Sequence, residues 1–147
     1  MNRYEKNFHD ILLNLSNNPL RLAESISLKS VSAFIRGYTY SLKENFDIDL
    51  LARWQQWIEI KFLILHVMWR WDRILEHCLG EDNAIQSLPS LYSEFIEKNI
   101  PYLEEKEFRD IHDRTFLENK SKMNLGIENT KTKINLDLTP KGYNPIN

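Results

Sequence analysis

The 147-residue chain carries 19 Lys and Arg against 21 Asp and Glu, a formal net charge of −2. Four Trp, six Tyr and seven Phe exclude a disordered chain, which is poor in such residues. The balanced charge leaves no global field to draw the molecule onto nucleic acid or anionic lipid, and the length suits one domain with a real core.

Tyr4, Phe8, Ile11, Leu12 and Leu15 recur at helical spacing, which predicts a first helix ended by Asn17-Asn18-Pro19. Residues 19–26 read as an irregular connection. Ser27 or Ser30 can cap a second helix, whose apolar face is Val31, Phe34, Ile35, Tyr38 and Leu42. Gly37 lies inside it, where glycine costs about 1 kcal/mol against alanine, so a close helix crossing is expected there. Asp47 or Asp49 can cap a long helical segment reaching Leu79, with Leu51, Trp54, Ile58, Phe62 and Leu65 inward. No Gly or Pro interrupts residues 50–79. The stretch from Ile60 to Trp71 is apolar nearly all round and should be the most buried element. Its apolar run from Phe62 to Trp71, broken by His66 and Arg70, is too short to span a membrane, which takes about 20 apolar residues.

Gly80 stops that helix. Asp82 starts the next, with Ala84, Ile85, Leu88, Leu91, Tyr92, Phe95 and Ile96 inward and Pro89 expected to kink or split it. Pro101 suits the first turn of a further helix with Phe108, Ile111, Thr115 and Phe116 inward. After Asn119 the composition shifts to Asn, Lys and Thr. Residues 131–138 alternate with period two, a strand signal. The chain thus reads as all-α: a helical domain of about five helices over residues 1–118 and a short extended C-terminal arm over 119–147. Phe34, Tyr38, Trp54, Phe62, Leu65 and Trp71 are expected to be buried together.

The candidate chemistry is sparse. No HExxH or CxxC spacing occurs. On one helix His66 and His77 would lie about 16 Å apart, too far to share an ion. The single Cys78 cannot form an internal disulfide, and Met1 to Asp10 lacks the apolar core of a secretory signal, so a reducing cytoplasmic setting is expected. Neither a metal, a cofactor nor catalytic residues are expected. His66, Arg70, Arg73 and His77, at i, i+4, i+7 and i+11, would form one cationic stripe. It suits an anion or an acidic partner, or is a salt-bridged face near Glu59, Asp72 and Glu76. Trp54, Trp57, Trp69 and Trp71 could be a base-stacking platform, but their apolar helix points to core packing. Between Leu91 and Glu118, eight acids stand against Lys98, Lys106, Arg109 and Arg114, while the tail from Asn119 is net basic.

Pro19, Ser27-Leu28 and Ala33-Phe34-Ile35-Arg36-Gly37-Tyr38, then Trp71-Asp72-Arg73-Ile74-Leu75 and Glu81-Asp82-Asn83-Ala84-Ile85 through Phe95, resemble a family of small bacterial immunity proteins. These are encoded beside polymorphic and contact-dependent growth inhibition toxins. The resemblance covers about residues 19–96 and departs at Leu20-Arg21-Leu22, where Met-Tyr or similar is usual. It implies a helical fold and a cytoplasmic protein that binds and neutralises a cognate toxin domain, a nuclease being the natural target. It transfers no catalytic residue. The partner surface is then expected in the late acidic region: Glu104, Glu105, Glu107, Asp110 and Asp113, with Tyr102 and Phe108 as aromatic anchors. The partner is expected to be a protein, with neither nucleic acid nor membrane. The rival reading is a helical nucleic-acid-associated protein using the cationic stripe.

Overall fold

A computed structural model describes residues 1–17, 27–65 and 67–137, the last fifteen by backbone alone. Among them are six α-helices and no strand, packed as one bundle. Helix α1, Arg3–Asn17, buries Phe8, Leu12 and Leu15 against α5, as its spacing predicts. Its start is held reciprocally: the Asn2 amide donates to Glu5 Oε2 at 2.8 Å, and the Glu5 amide donates to Asn2 Oδ1 at 2.9 Å. The Glu5 carboxylate is buried, and the Tyr102 hydroxyl donates to its other oxygen. Chain positions almost a hundred residues apart are joined by that bond.

Helix α2, Leu28–Phe46, opens on a capping box in which Ser27 and Ser30 satisfy each other's amides. The Leu28 amide donates to Glu81 Oε1 at 2.8 Å, which ties the start of α2 to that of α5. Asp47 and Asp49 do not cap a following helix. Asp47 ends α2 in the left-handed conformation, and Asp49 accepts from Lys43 Nζ at 3.0 Å.

The apolar segment expected as one long helix is two short ones. Helix α3 spans Trp54–Phe62 and α4 spans Trp71–Leu79. Leu63, at φ 54°, returns its amide to the Glu59 and Ile60 carbonyls, and Met68 is left-handed as well. Neither is glycine, so tertiary burial outweighs the local cost of roughly 1–2 kcal/mol per such residue. The gain is visible in the rings. Residues 54 and 71 would stand about 25 Å apart along an unbroken helix, yet their indole centroids lie 6.1 Å apart. Gln55 fastens the turn: its Nε2 donates to the Trp69 carbonyl at 2.8 Å and its Oε1 accepts from the Trp71 amide at 2.7 Å.

Gly80, at φ 81°, ends α4 and precedes α5, Glu81–Glu97. Helix α5 runs through Pro89 without splitting. Pro101 falls in a short 3-10 turn, Ile100–Tyr102, rather than in a first α-turn. Helix α6 then spans Glu105–Asp137, 33 residues or about 50 Å. The extended arm expected from residue 119 is therefore helical as far as Asp137, and the strand signal at 131–138 is not realised there. No proline lies between Pro101 and Pro140, and Ile134 and Leu138, read as alternating, also stand at helical i, i+4 spacing. Residues 138–147, like the connection at 18–26, lie outside the described residues.

The core centres on Trp54, which meets Trp57, Trp71, Tyr92 and Phe95 at centroid distances of 5.2–6.2 Å. Phe62 and Trp71 are buried as expected. Leu65 is buried in a separate small cluster with Leu63, under Phe116. Tyr38 packs partly buried on Phe8, and Phe34 is 41% exposed, stacked on Tyr38 at 6.3 Å. Helix α2 buries Leu28, Val31, Ser32 and Ile35, which turns position 34 outward. Among the described residues no helix crosses at Gly37: a β-carbon there would meet nothing within 4 Å.

Two stability outcomes follow from this packing. Gly37→Ala should stabilise the protein by about 0.5–1 kcal/mol, because the site is open, helical and free of positive φ; an unchanged or lower urea midpoint would contradict it. Trp57→Ala, at a fully buried position, should cost about 3–5 kcal/mol. Phe34→Ala should cost about 1 kcal/mol or less, since much of its ring is already in water.

Candidate functional site

The expected partner residues gather at the joint between α5 and α6. Glu104, Glu105, Glu107, Asp110 and Asp113 are all exposed, and Tyr102 is 55% exposed beside them. Phe108 is not a surface anchor. It is buried as the inward residue of the first α6 turn, with the Arg53 guanidinium 5.1 Å over its ring. Arg53 organises the joint: its Nη1 donates to the Leu103 carbonyl and, at 3.3 Å, to that of Ile100, and its Nη2 pairs with Glu105 Oε2 at 3.3 Å. Glu107 accepts from the Glu104 amide at 3.2 Å, so it closes the N-terminal end of α6. Carboxylates are favoured there because the unpaired amides of a first turn carry partial positive charge.

These acids do not form a uniform negative face. Glu105 is shared between Arg53 and Arg109, and Asp113 lies 3.4 Å from His112. Lys106, Arg109 and Arg114 are exposed on the same turns as Asp110 and Asp113. The local excess of four acids is real, but its carboxylates alternate with cations. A basic partner would contact Glu104, Glu107 and Asp110 foremost, since none of these three carboxylates is held by a described ion pair.

The cationic stripe does not exist as expected, because the helix that would align it is broken. His66 lies outside the described residues. Arg70 precedes α4 in an extended conformation and clasps Asp72, with Nε to Oδ1 at 3.2 Å and Nη2 to Oδ2 at 2.7 Å. The Arg73 guanidinium lies 4.3 Å from the Trp69 ring centroid, and the His77 ring meets that indole edge-on at 4.9 Å. Around them lies an open groove of about 430 Å3, lined by Leu28, Lys29, Met68, Trp69, Asp72 and Glu76 as well as by Arg70 and Arg73. Trp54, Trp57 and Trp71 are core residues, so there is no four-indole stacking platform.

The buried titratable groups are structural in their surroundings. Lys61, 2% exposed, pairs with Glu94 at 2.7 Å and stands 5.5 Å over Trp57. Burial lowers the Lys98 amine, with the Lys61 charge adding to the effect against Glu94 and Glu97. Burial pushes the Cys78 thiol up to about 12, so it is protonated and a poor nucleophile at neutral pH. Burial also raises the Tyr92 phenol, with Glu5 reinforcing it. Among the described residues no three His, Cys, Asp or Glu side chains are grouped to hold a metal ion, and no helix is long and apolar enough to cross a membrane.

Sequence reasoning missed Glu5, Gln55, Arg53 and Met68, each of which acts across the fold rather than along one helix. One signal was present: Trp69 and Trp71 are about 200° apart on a helix, so an unbroken one cannot turn both inward. Comparison with protein-family models, with curated proteins and with solved structures finds no match for this chain.

The Asp72 carboxyl gives a pH signature. Burial alone would raise it, but the hydrogen bonds and positive charge of Arg70 outweigh that, and it titrates below its ordinary value of 3.8. A carboxyl lower in the folded than in the unfolded chain adds stability above the unfolded value, and this is lost as pH falls through the folded one. Arg70 is largely exposed, so Asp72→Asn should cost about 0.5–1 kcal/mol at neutral pH. The difference from the parent should shrink as the pH drops below 3.8; a difference constant across that range would contradict the pairing.

Proposed function

We propose that this protein is an immunity factor: a helical inhibitor that binds a toxic protein domain, a nuclease for preference, and blocks it stoichiometrically without turnover. The observation that carries the reading is the surface at the α5–α6 joint. Glu104, Glu107 and Asp110 project into solvent beside the half-exposed Tyr102 ring, on a backbone fixed by Arg53 and by the Glu5–Tyr102 bond. A nuclease binds a polyanion and so presents a basic surface, which exposed carboxylates complement. A preorganised backbone lowers the ordering cost of association. The resemblance of residues 19–96 to toxin-neighbouring immunity proteins supports the same reading. Within it Tyr102 is the aromatic anchor, and Phe108 supports the joint from below.

The test is to look for a toxin gene beside the one for this chain and to measure binding of its toxic domain and protection of cells against it. Changing Glu104, Glu107 and Asp110 together to Lys should slow association, weaken the complex and abolish protection of cells, while the helical circular-dichroism signal is retained. Raising salt should slow association of the unmodified pair, because exposed charges are screened over about 8–10 Å. Full protection by the triple variant, with salt-independent association, would remove this face from the interface.

A further inference from the structure

The groove between the start of α2 and the turn into α4 has features that neither the core nor the α5–α6 joint requires. Met68 is 97% exposed, and its backbone is left-handed at φ 53°. The turn needs a residue in that conformation, but glycine or asparagine adopts it at lower cost. A methionine there adds an apolar, adaptable side chain held in water.

Beside it, the Trp69 indole is fixed between Arg73 and His77. The stacked Arg73 guanidinium is thereby oriented before any ligand arrives, and neither Arg73 nor Lys29 takes part in a described ion pair. The nearby acid Asp72 is already engaged by Arg70. A stacked arginine presents a planar fork of donors suited to a carboxylate. Methionine, tryptophan and arginine together are also the residues enriched where proteins anchor one another.

We propose that this groove docks an acidic segment of a partner protein, with a carboxylate on Arg73, a second acidic charge near Lys29, and an apolar side chain against Met68 and Trp69. A protein segment is favoured over nucleic acid because the chain's net charge of −2 gives no field that draws a polyanion, and because the exposed Met68 side chain offers an adaptable apolar contact for a protein side chain rather than a stacking plane for a base. The site is separate from the α5–α6 joint, and its partner chemistry is opposite in sign, so the two can fail independently.

The test uses the full-length protein labelled with 13C at Met methyls and 15N at indoles. It is titrated separately with a synthetic peptide alternating Glu with Leu and Phe, the same peptide with Lys for Glu, oligothymidylate, and inorganic phosphate. The acidic peptide should shift the Met68 methyl and Trp69 indole signals saturably, and added salt should weaken the effect. Arg73→Ala should weaken that binding about tenfold, the loss expected for one charge-assisted contact. Lys29→Ala should weaken it less. Both positions are exposed, so unchanged circular dichroism will show that the fold is intact. The proposal is overturned if the acidic peptide leaves Met68 and Trp69 unmoved, or if Arg73→Ala binds it as the parent does. It also fails if oligothymidylate, phosphate or the Lys peptide produces the same response.

Discussion

The contact between the Trp54 and Trp71 rings constrains everything else in this fold. Both indoles belong to one apolar segment with no glycine or proline, and local propensity alone would leave it a single rod. A single rod would bury one stripe and leave the other apolar positions in water. Breaking it after Phe62 lets Trp54, Trp57, Phe62, Trp71, Ile74 and Leu75 all reach the interior, where Tyr92 and Phe95 of α5 meet them. Left-handed Leu63 and Met68 are the local cost of that arrangement. Gln55 supplies what the interrupted helix loses, by giving a donor to the Trp69 carbonyl and an acceptor to the Trp71 amide.

The surface is rearranged by the same break. A continuous helix would line up His66, Arg70, Arg73 and His77. The turn instead pairs Arg70 with Asp72, lays Arg73 on Trp69 and opens a groove toward Lys29. At the other end of the bundle, two further long-range ties fix the α5–α6 joint: Arg53 onto the Ile100 and Leu103 carbonyls, and Tyr102 onto the buried Glu5. The two surfaces proposed to meet partners therefore both rest on side chains that reach across the fold. Such support suits a binding protein, because rigid presentation reduces the ordering cost of association.

The helix ends were legible wherever local chemistry decides them. Ser27 and Ser30 cap α2, and Gly80 separates α4 from α5, each from residue types whose roles are short-range. The break between α3 and α4 was not legible because it is enforced by burial against α5, far away in sequence. Phe34 was misplaced for a related reason: four inward positions on α2, Leu28, Val31, Ser32 and Ile35, define a stripe narrower than its apolar content suggests. In the C-terminal region, spacing two apart mimicked a strand where the backbone is helical. Of the candidate site, the positions of the exposed acids were legible. So were the inward turn of Phe108 and the cations among the acids; the pairing of Glu105 was not, since it depends on Arg53 from a distant part of the chain.

The measurement that bears most directly on this account is the nuclear Overhauser contact between the Trp54 and Trp71 indole rings in solution. The fold described here predicts a strong cross-peak between them, accompanied by non-helical 13Cα shifts at Leu63 and Met68. Continuous helical shifts from Trp54 through Leu79 with no contact between the two rings would contradict it. They would also restore the single rod and its cationic stripe, and dissolve the groove.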